Sequence, residues 1–495
     1  MGRPLGEPGF IAFFVLVAWI PVSLGLFYAL PLVRAALLVF FGGMLFLPEL
    51  AQLDLPSLPP LEKRSITILA LLAGTLLRMP RRGRFFLGFK GAGLLIPVLL
   101  LAAVMTALTN DDGQWQGTLV FLPGLTIKEA ISFSVRDVMG VALPFLLGRA
   151  IFQSRRDLRE LLLALVVFSL VYSFFILVEV RLSPQCHNWI YGYGQHDFRQ
   201  TIRWGGYRPM VFMSHGLAVG LFIAQALIAV AALAKVQMSV LRWPSRPMVP
   251  YLSFILFLMK SLGALIFGAI GVVAVALTKP RTQLKFARLL AVLALLYPVV
   301  QAADILPKEQ VIDVFMHVAP ERAESLAFRI RNEGELVKKA LERPWFGWGG
   351  YGRPLLWDTE MGKSISVTDG FWIIALGARG GIALAAMLLL MSISLLVLPK
   401  RVRGLQDRKT LTMLAGLAVL QGFAVLDLIP NGLFTDMPYF LGGALLSLSR
   451  GLPLEEHIEA SKTGKNPQSP SRDAAPSPFD PNWMPNPAPS TLNDL

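Results

Sequence analysis

The chain is short of charge and almost without cysteine, and each shortage removes a class of protein. Only 16% of its 495 residues are charged while 54% are hydrophobic, too few charges to cover a soluble protein of this size. The single cysteine, Cys186, excludes a disulfide within the chain and a cysteine-built metal site. The apolar runs lack the alternation of β-barrel strands. Internal repeats are missing, as is an inverted pair of broken helices of the kind that marks a transporter.

What the chain does have is long apolar runs, at 9–30, 31–49, 65–77, 91–108, 131–152, 161–180, 210–234, 248–278, 289–303, 370–398, 411–428 and 437–448. Backbone polar groups must be satisfied internally in lipid, so these runs predict helices and a lipid bilayer as the surroundings. The expected fold is an all-α polytopic membrane protein with about 12–13 transmembrane helices.

A net charge of +14 would suit a nucleic-acid partner, but its distribution points elsewhere. It sits largely in five short clusters, around Arg78–Arg84, Arg149–Arg159, Lys235–Arg246, Lys279–Arg288 and Lys400–Lys409. Short loops rich in Lys and Arg stay in the cytoplasm, so the charge is topological and no nucleic acid is expected. The run 248–278 has clusters at both ends and must therefore cross an even number of times. As one helix it would be about 46 Å long against a hydrocarbon core of about 30 Å. A hairpin with its apex at Lys260-Ser261-Leu262-Gly263 follows. Lys260 at that apex is either a cation for an anionic ligand or a lysine snorkelling to outer headgroups.

The same alternation puts 109–129, 181–209 and 304–369 outside. The predicted organisation is a helical bundle over 1–303 with outer loops 109–129 and 181–209, then a large extracytoplasmic loop over 304–369. C-terminal membrane helices over 370–449 and a disordered cytoplasmic tail over 450–495 complete it, the tail being rich in Pro, Ser and Asn. The sidedness of the N-terminus stays open.

The outer segments carry the candidate chemistry. "HNWIYGYGQHDFRQTIRWGGYRP" concentrates aromatics, glycines and cations. Arginine forks hold phosphates bidentately, and glycines between Arg203 and Arg208 allow close backbone approach. Trp189, Tyr191 and Tyr193 read either as an interfacial belt or as platforms for sugar rings. His215 falls a turn or more inside the following helix, as a bundle residue or a direct participant. In "ERAESLAFRIRNEGELVKKALER" the residues Leu326, Ile330, Val337 and Leu341 share one face, and Arg322, Ser325 and Arg329 another. Asp369 opens the next span, as a helix cap or a base.

Four stretches then fall in a meaningful order. "RWGGYRPMVFMSHGLA", the arginine-bearing outer helix, "ALERPWFGWGGYGR" and "SVTDGFWIIALGARGG" together resemble the O-antigen ligase and polymerase superfamily of bacterial surface polysaccharide assembly. The likeness covers residues 136–398, and "RPWFGWG" after a long outer loop is its most specific element. It implies a multi-pass protein of the bacterial inner membrane, its site facing the periplasm. It further implies a glycosyltransferase that moves glycans from undecaprenyl diphosphate with no metal and no cofactor.

Residue by residue, the resemblance assigns Arg203 and Arg208 to the diphosphate, with Arg329 and Arg331 supplied by the loop. The family's ligases carry a histidine near "TDGFW"; this chain has Asp369, which becomes the candidate base with His215 behind it. Their arginine beside a serine near the hairpin apex is also absent, and only Lys260 stands close by. These departures favour a polymerase of lipid-linked repeat units for exopolysaccharide, capsule or O-antigen over a ligase. The implied partners are the undecaprenyl-diphosphate-linked oligosaccharide, a flippase and a chain-length regulator. Two rival readings remain: a transporter using Arg136, Asp137 and Arg379, against which Arg136 and Asp137 read as a local pair near the outer end of their helix, and a non-catalytic assembly partner.

Overall fold

The computed structural model describes residues 6–54, 59–79, 91–305, 310, 313, 316–317, 320–358, 362–432 and 436–462. Each expected apolar run carries a helix. In chain order they are α1 (Phe10–Ala29), α2 (Leu32–Phe46), α3 (Lys63–Arg78), α4 (Leu95–Leu108) and α5 (Ile127–Asp137). A π turn, Val138–Ala142, carries α5 straight into α6 (Leu143–Ile151). There follow α7 (Arg155–Leu182), a short α8 (Cys186–Tyr191), α9 (Gly216–Lys235), α10 (Met248–Leu258), α11 (Leu262–Leu277) and α12 (Pro280–Ala302). The chain continues with α13 (Pro320–Leu341), α14 (Phe371–Arg401), α15 (Arg408–Asp427) and α16 (Met437–Lys462). Strands among the described residues form only two-stranded hairpins.

This is an all-α polytopic membrane protein, with 8 helices among the described residues long and apolar enough to cross a membrane. The rest of the expected crossings would fall to shorter or less apolar helices. Leu32–Phe46, Met248–Leu258 and Leu262–Leu277 are apolar but only 15, 11 and 16 residues long. The most enclosed spans are α9 and α15, 89% and 94% buried over their apolar windows, whereas α1 is 22% buried and lies at the edge. Small residues let the helices close up, as where α6 meets α16: a Cβ on Gly443 would strike the carbonyl of Phe145.

Contacts at one end of the bundle join four of the five basic clusters. Lys235 Nζ donates to the Thr278 carbonyl, Arg281 Nη2 to that of Arg403, and Arg155 lies 3.6 Å from Asp407. The outer segments gather at the other end, and residue 6 packs on Tyr193 there, so the entry to α1 lies with the loops.

The run 248–278 breaks where expected. Lys260 has φ of 50°, and a Cβ on Gly268 would come 2.5 Å from Leu256 Cδ2, so α10 and α11 run back along each other. At 1.5 Å per residue the two arms are about 16 and 24 Å long. At the apex Ser261 is only 4% exposed while Leu262 is 48% exposed, so the turn is buried on one side and open on the other.

Three expectations are corrected. The span 210–234 starts late: residues 210–214 are not helical and α9 begins at Gly216. The tail does not begin at 450, because α16 runs on to Lys462, held by Glu455 on the Arg155 N–H, Glu456 on the Asp407 N–H and Glu459 on the Arg155 side chain. Residues 463–495 lie outside the described residues. Finally, Asp137 pairs with Arg379 across the bundle (Nη1–Oδ1 2.9 Å, Nη2–Oδ2 2.5 Å) and not with its neighbour Arg136. Two opposite charges on separate helices satisfy each other bidentately, which adjacent side chains on one helix, splayed about 100° apart, do not.

The large loop is tied down by a break in α14. Gly380 has φ of 75°, and the interrupted helix turns its free groups to the turn "RPWFGWGG". Trp348 and Gly349 donate to the carbonyls of Gly377 and Ala378 at 2.8 and 2.9 Å, and Gly381 returns a bond to the Pro344 carbonyl at 2.7 Å. A Cβ on Gly347 would lie 2.6 Å from the Gly380 nitrogen, so glycine is required there. The family-like turn is thus a backbone clasp.

Candidate functional site

At the loop end of the bundle lies a cavity of about 540 Å³, bounded by the segment before α9, the start of α11, Arg329 of α13, the entry to α14 and the end of α15. Arg203, Arg208, His215, Arg329 and Asp369, chosen from sequence, all line it.

Arg203 stands on a hairpin, Ile202–Arg203 paired with Gly206–Tyr207, whose turn residues Trp204 and Gly205 both have positive φ. Lys260 Nζ holds this hairpin by donating to the Arg203 carbonyl at 3.0 Å. That contact uses the ammonium on backbone, so Lys260 supports Arg203 and is not among the cavity-lining residues.

Arg208 is 8% exposed and crosses the face of Gly216, where any Cβ would lie 2.5 Å from its Cγ and Cδ. Its Nη2 donates to the Lys260 carbonyl at 3.0 Å, while its buried Nε has no partner among the described residues. No carboxylate pairs with it among the described residues. Burial, and then the charge of Arg203, pull its pKa from 12.5 down to about 10.

The chain after Arg208 is pinned from below, which is why it is not helical. Glu179 of α7 accepts from the N–H groups of Met210 and Val211, both at 2.8 Å, and from Cys186 at 3.0 Å. Tyr172 accepts from Phe212 N–H, and Lys63 donates to the Phe212 carbonyl. These anchors hold Val211 at φ of 54°, a strained value for a β-branched residue.

His215 caps α9 and does not sit within it. Its Nδ1 accepts from the Leu217 N–H at 3.0 Å. Burial, then the neighbours His196, Arg208 and Arg203, lower its pKa from 6.5 to about 4, so the ring is neutral at pH 7. A neutral imidazole that accepts at Nδ1 carries its proton on Nε2. His215 therefore offers the cavity a hydrogen-bond donor, which disfavours it as the base.

Next to it, α11 opens at Ser261 without a side-chain cap, and its first-turn residues Leu262, Gly263 and Ala264 line the cavity. Uncapped helix N–H groups add positive potential to that of the arginines.

Asp369 lies just before α14, its Oδ2 3.4 Å from Arg329 Nε, with 43% of the side chain exposed. It makes no cap: the residue at that position is Gly370. Arg329 reaches it because Asn332 of α13 pairs with both backbone polar groups of Val367. Arg331 belongs elsewhere. It lines a separate cavity of about 440 Å³ with Phe328, Glu335, Leu356 and Ile365, since helical geometry turns residue 331 well away from residue 329. The apolar face of α13 is built by Ala327, Leu336, Val337 and Ala340, with Leu341 42% exposed; the side chains of Arg322, Ser325 and Leu326 lie outside the described residues.

Tyr191 and Tyr193 are buried, their hydroxyls donating to the carbonyls of Phe46 and Glu49, so they are packing pins and neither belt nor sugar platform. Trp189 is 57% exposed. Sequence reasoning missed Asp427, the last residue of α15, which lines the cavity with Asn431 and Gly432. The signal was there in "DLIPNG", a carboxylate ending an apolar run before a Pro-Asn-Gly turn.

The assembled cavity presents three arginines, one of them buried and without a carboxylate partner among the described residues, an uncapped helix start and an imidazole donor, together with two carboxylates. Such a site is built to hold an anion next to a proton acceptor. Comparison with known protein families and with curated proteins gives no match for this chain.

Proposed function

We propose that the chain polymerises lipid-linked oligosaccharide repeat units, transferring a glycan from undecaprenyl diphosphate to a sugar hydroxyl at the outer face of the bacterial inner membrane. One observation carries this reading: Arg208, a buried guanidinium with no carboxylate partner among the described residues, faces a cavity at the loop end of a membrane bundle. An uncompensated buried cation is costly unless an anion completes it. Arg203, Arg208 and the start of α11 would hold the diphosphate and stabilise the charge it gains as the glycosidic bond breaks. Arg329, positioned by Asp369, would close the site from the loop side. The chemistry of this donor asks for a phosphate grip and, beside it, a group to take the proton of the acceptor hydroxyl, and arginines and carboxylates both line the cavity. The proposed partners are the lipid-linked oligosaccharide, a flippase and a chain-length regulator.

The test is the lipid-linked species left when the protein is removed from its host. Accumulation of single repeat units on undecaprenyl diphosphate supports a polymerase. Full-length, unattached lipid-linked polymer contradicts it in favour of a ligase, and an unchanged lipid pool contradicts both.

A further inference from the structure

We propose that Asp427, and not Asp369, accepts the proton of the attacking sugar hydroxyl, an assignment that rests on the polymerase reading above. Asp427 has an incomplete set of hydrogen bonds. Asp427 is 5% exposed; its Oδ1 accepts from Asn431 Nδ2 at 2.8 Å, while its buried Oδ2 has no partner among the described residues. A carboxylate oxygen that has left water without finding a donor is expensive, and a donor brought by a ligand offsets that cost.

The chemistry of the missing donor identifies the ligand group. A diphosphate carries acceptors and negative charge, so it suits Arg203 and Arg208 and is repelled by Asp427. A sugar hydroxyl brings an O–H. Asp427 therefore marks the acceptor end of the cavity, and the arginines mark the donor-lipid end. Asp369 is differently placed: it is 43% exposed and already engaged with Arg329 Nε at 3.4 Å. An arginine held against a carboxylate is oriented by it, which makes Asp369 a positioning residue. His215, with its Nδ1 occupied by the α9 backbone, presents a proton and does not take one.

The step balances as a displacement. The acceptor O–H bond breaks and its proton passes to Asp427 Oδ2. The freed oxygen pair bonds the anomeric carbon of the lipid-linked glycan. The bond from that carbon to the diphosphate oxygen breaks, and its electron pair stays with undecaprenyl diphosphate. Asp427 returns to the carboxylate by losing the proton to water.

The experiment uses the full chain in lipid vesicles with an undecaprenyl-diphosphate-linked repeat unit as substrate, reading turnover and, separately, protection from heat by undecaprenyl diphosphate. Asp427→Asn keeps the shape and the Asn431 contact but cannot take a proton. Its turnover should fall about 10²–10⁴-fold, with lipid-diphosphate protection as in the wild type. Asp369→Asn should instead weaken that protection and raise KM more than it lowers kcat. Asn431→Ala, which removes only the bond to Oδ1, controls for a folding role and should cost much less than Asp427→Asn. Wild-type turnover in Asp427→Asn overturns the assignment, as does equal damage in Asp427→Asn and Asn431→Ala. A wild-type chain that binds undecaprenyl diphosphate yet elongates nothing overturns the polymerase reading itself, and the assignment with it.

Discussion

Replacing Arg208 by methionine should stabilise the empty protein and destroy its affinity for lipid diphosphate. Methionine has a similar reach and no charge. Burial and Arg203 lower the guanidinium pKa from 12.5 to about 10, which at about 1.4 kcal/mol for each tenfold change in proton affinity is about 3 kcal/mol. The sign follows from the lowered value: at pH 7 the side chain is protonated in both folded and unfolded chain, so the fold bears this cost until the pH rises above about 10. Against it stands the bond from Nη2 to the Lys260 carbonyl at 3.0 Å, worth about 1.5 kcal/mol for a charged donor. The net expectation for Arg208→Met is a gain of about 1.5 kcal/mol without ligand. In the wild type, undecaprenyl diphosphate at a hundred times its Kd should add about 2.7 kcal/mol, and in the variant almost nothing. Thermal unfolding in vesicles with and without the lipid reads both quantities. A variant that melts lower than wild type without ligand, or that keeps the ligand-induced rise, refutes the reasoning.

Arg208→Lys keeps charge but loses the fork, so donor affinity should drop about 10–100-fold with insertion intact, measured by lipid protection. At the neighbouring cap, Asn accepts from a helix N–H as His215 does; His215→Asn should therefore melt near wild type, whereas His215→Ala should lose about 0.5–2 kcal/mol. A cysteine at Gly263, where a Cβ meets nothing within 4 Å, should react with an impermeant thiol reagent from the outer side in a Cys186→Ser background, and labelling from the cytoplasm alone would reverse the topology. Gly380→Ala puts a methyl against the Trp345 carbonyl at a positive φ, so it should unfasten the loop clasp and expose the turn at Trp345 to protease.

Much of this molecule was legible in advance, for separable reasons. Hydropathy located the apolar helices, because lipid leaves the backbone no alternative. Paired basic flanks foretold the 248–278 hairpin, and the structure supplies the Leu256–Gly268 contact that proves it. The cavity residues Arg203, Arg208 and Asp369 were recognisable because cations and a carboxylate at the mouths of apolar helices have few structural uses, and Arg329 through the family resemblance of its outer helix. What stayed hidden depends on partners far away in sequence. The delayed start of α9 comes from Glu179, Tyr172 and Lys63 competing for residues 210–212, and no local pattern records them. The divergence of Arg331 from Arg329 is a matter of helical phase and is implicit in their spacing of two. Asp427 was overlooked because it looks like an ordinary helix end until the fold brings it to the cavity that Arg208 also lines. The "RPWFGWG" turn was read as a family mark, whereas its role as a clasp needed the break at Gly380 to be seen.

The central claim is that the cavity joins lipid-linked glycans. Purified full chain in vesicles, given a single repeat unit on undecaprenyl diphosphate, should produce a ladder of lipid-linked polymers and release one undecaprenyl diphosphate for each glycosidic bond formed. Binding of the lipid with no ladder and no released diphosphate would contradict the account.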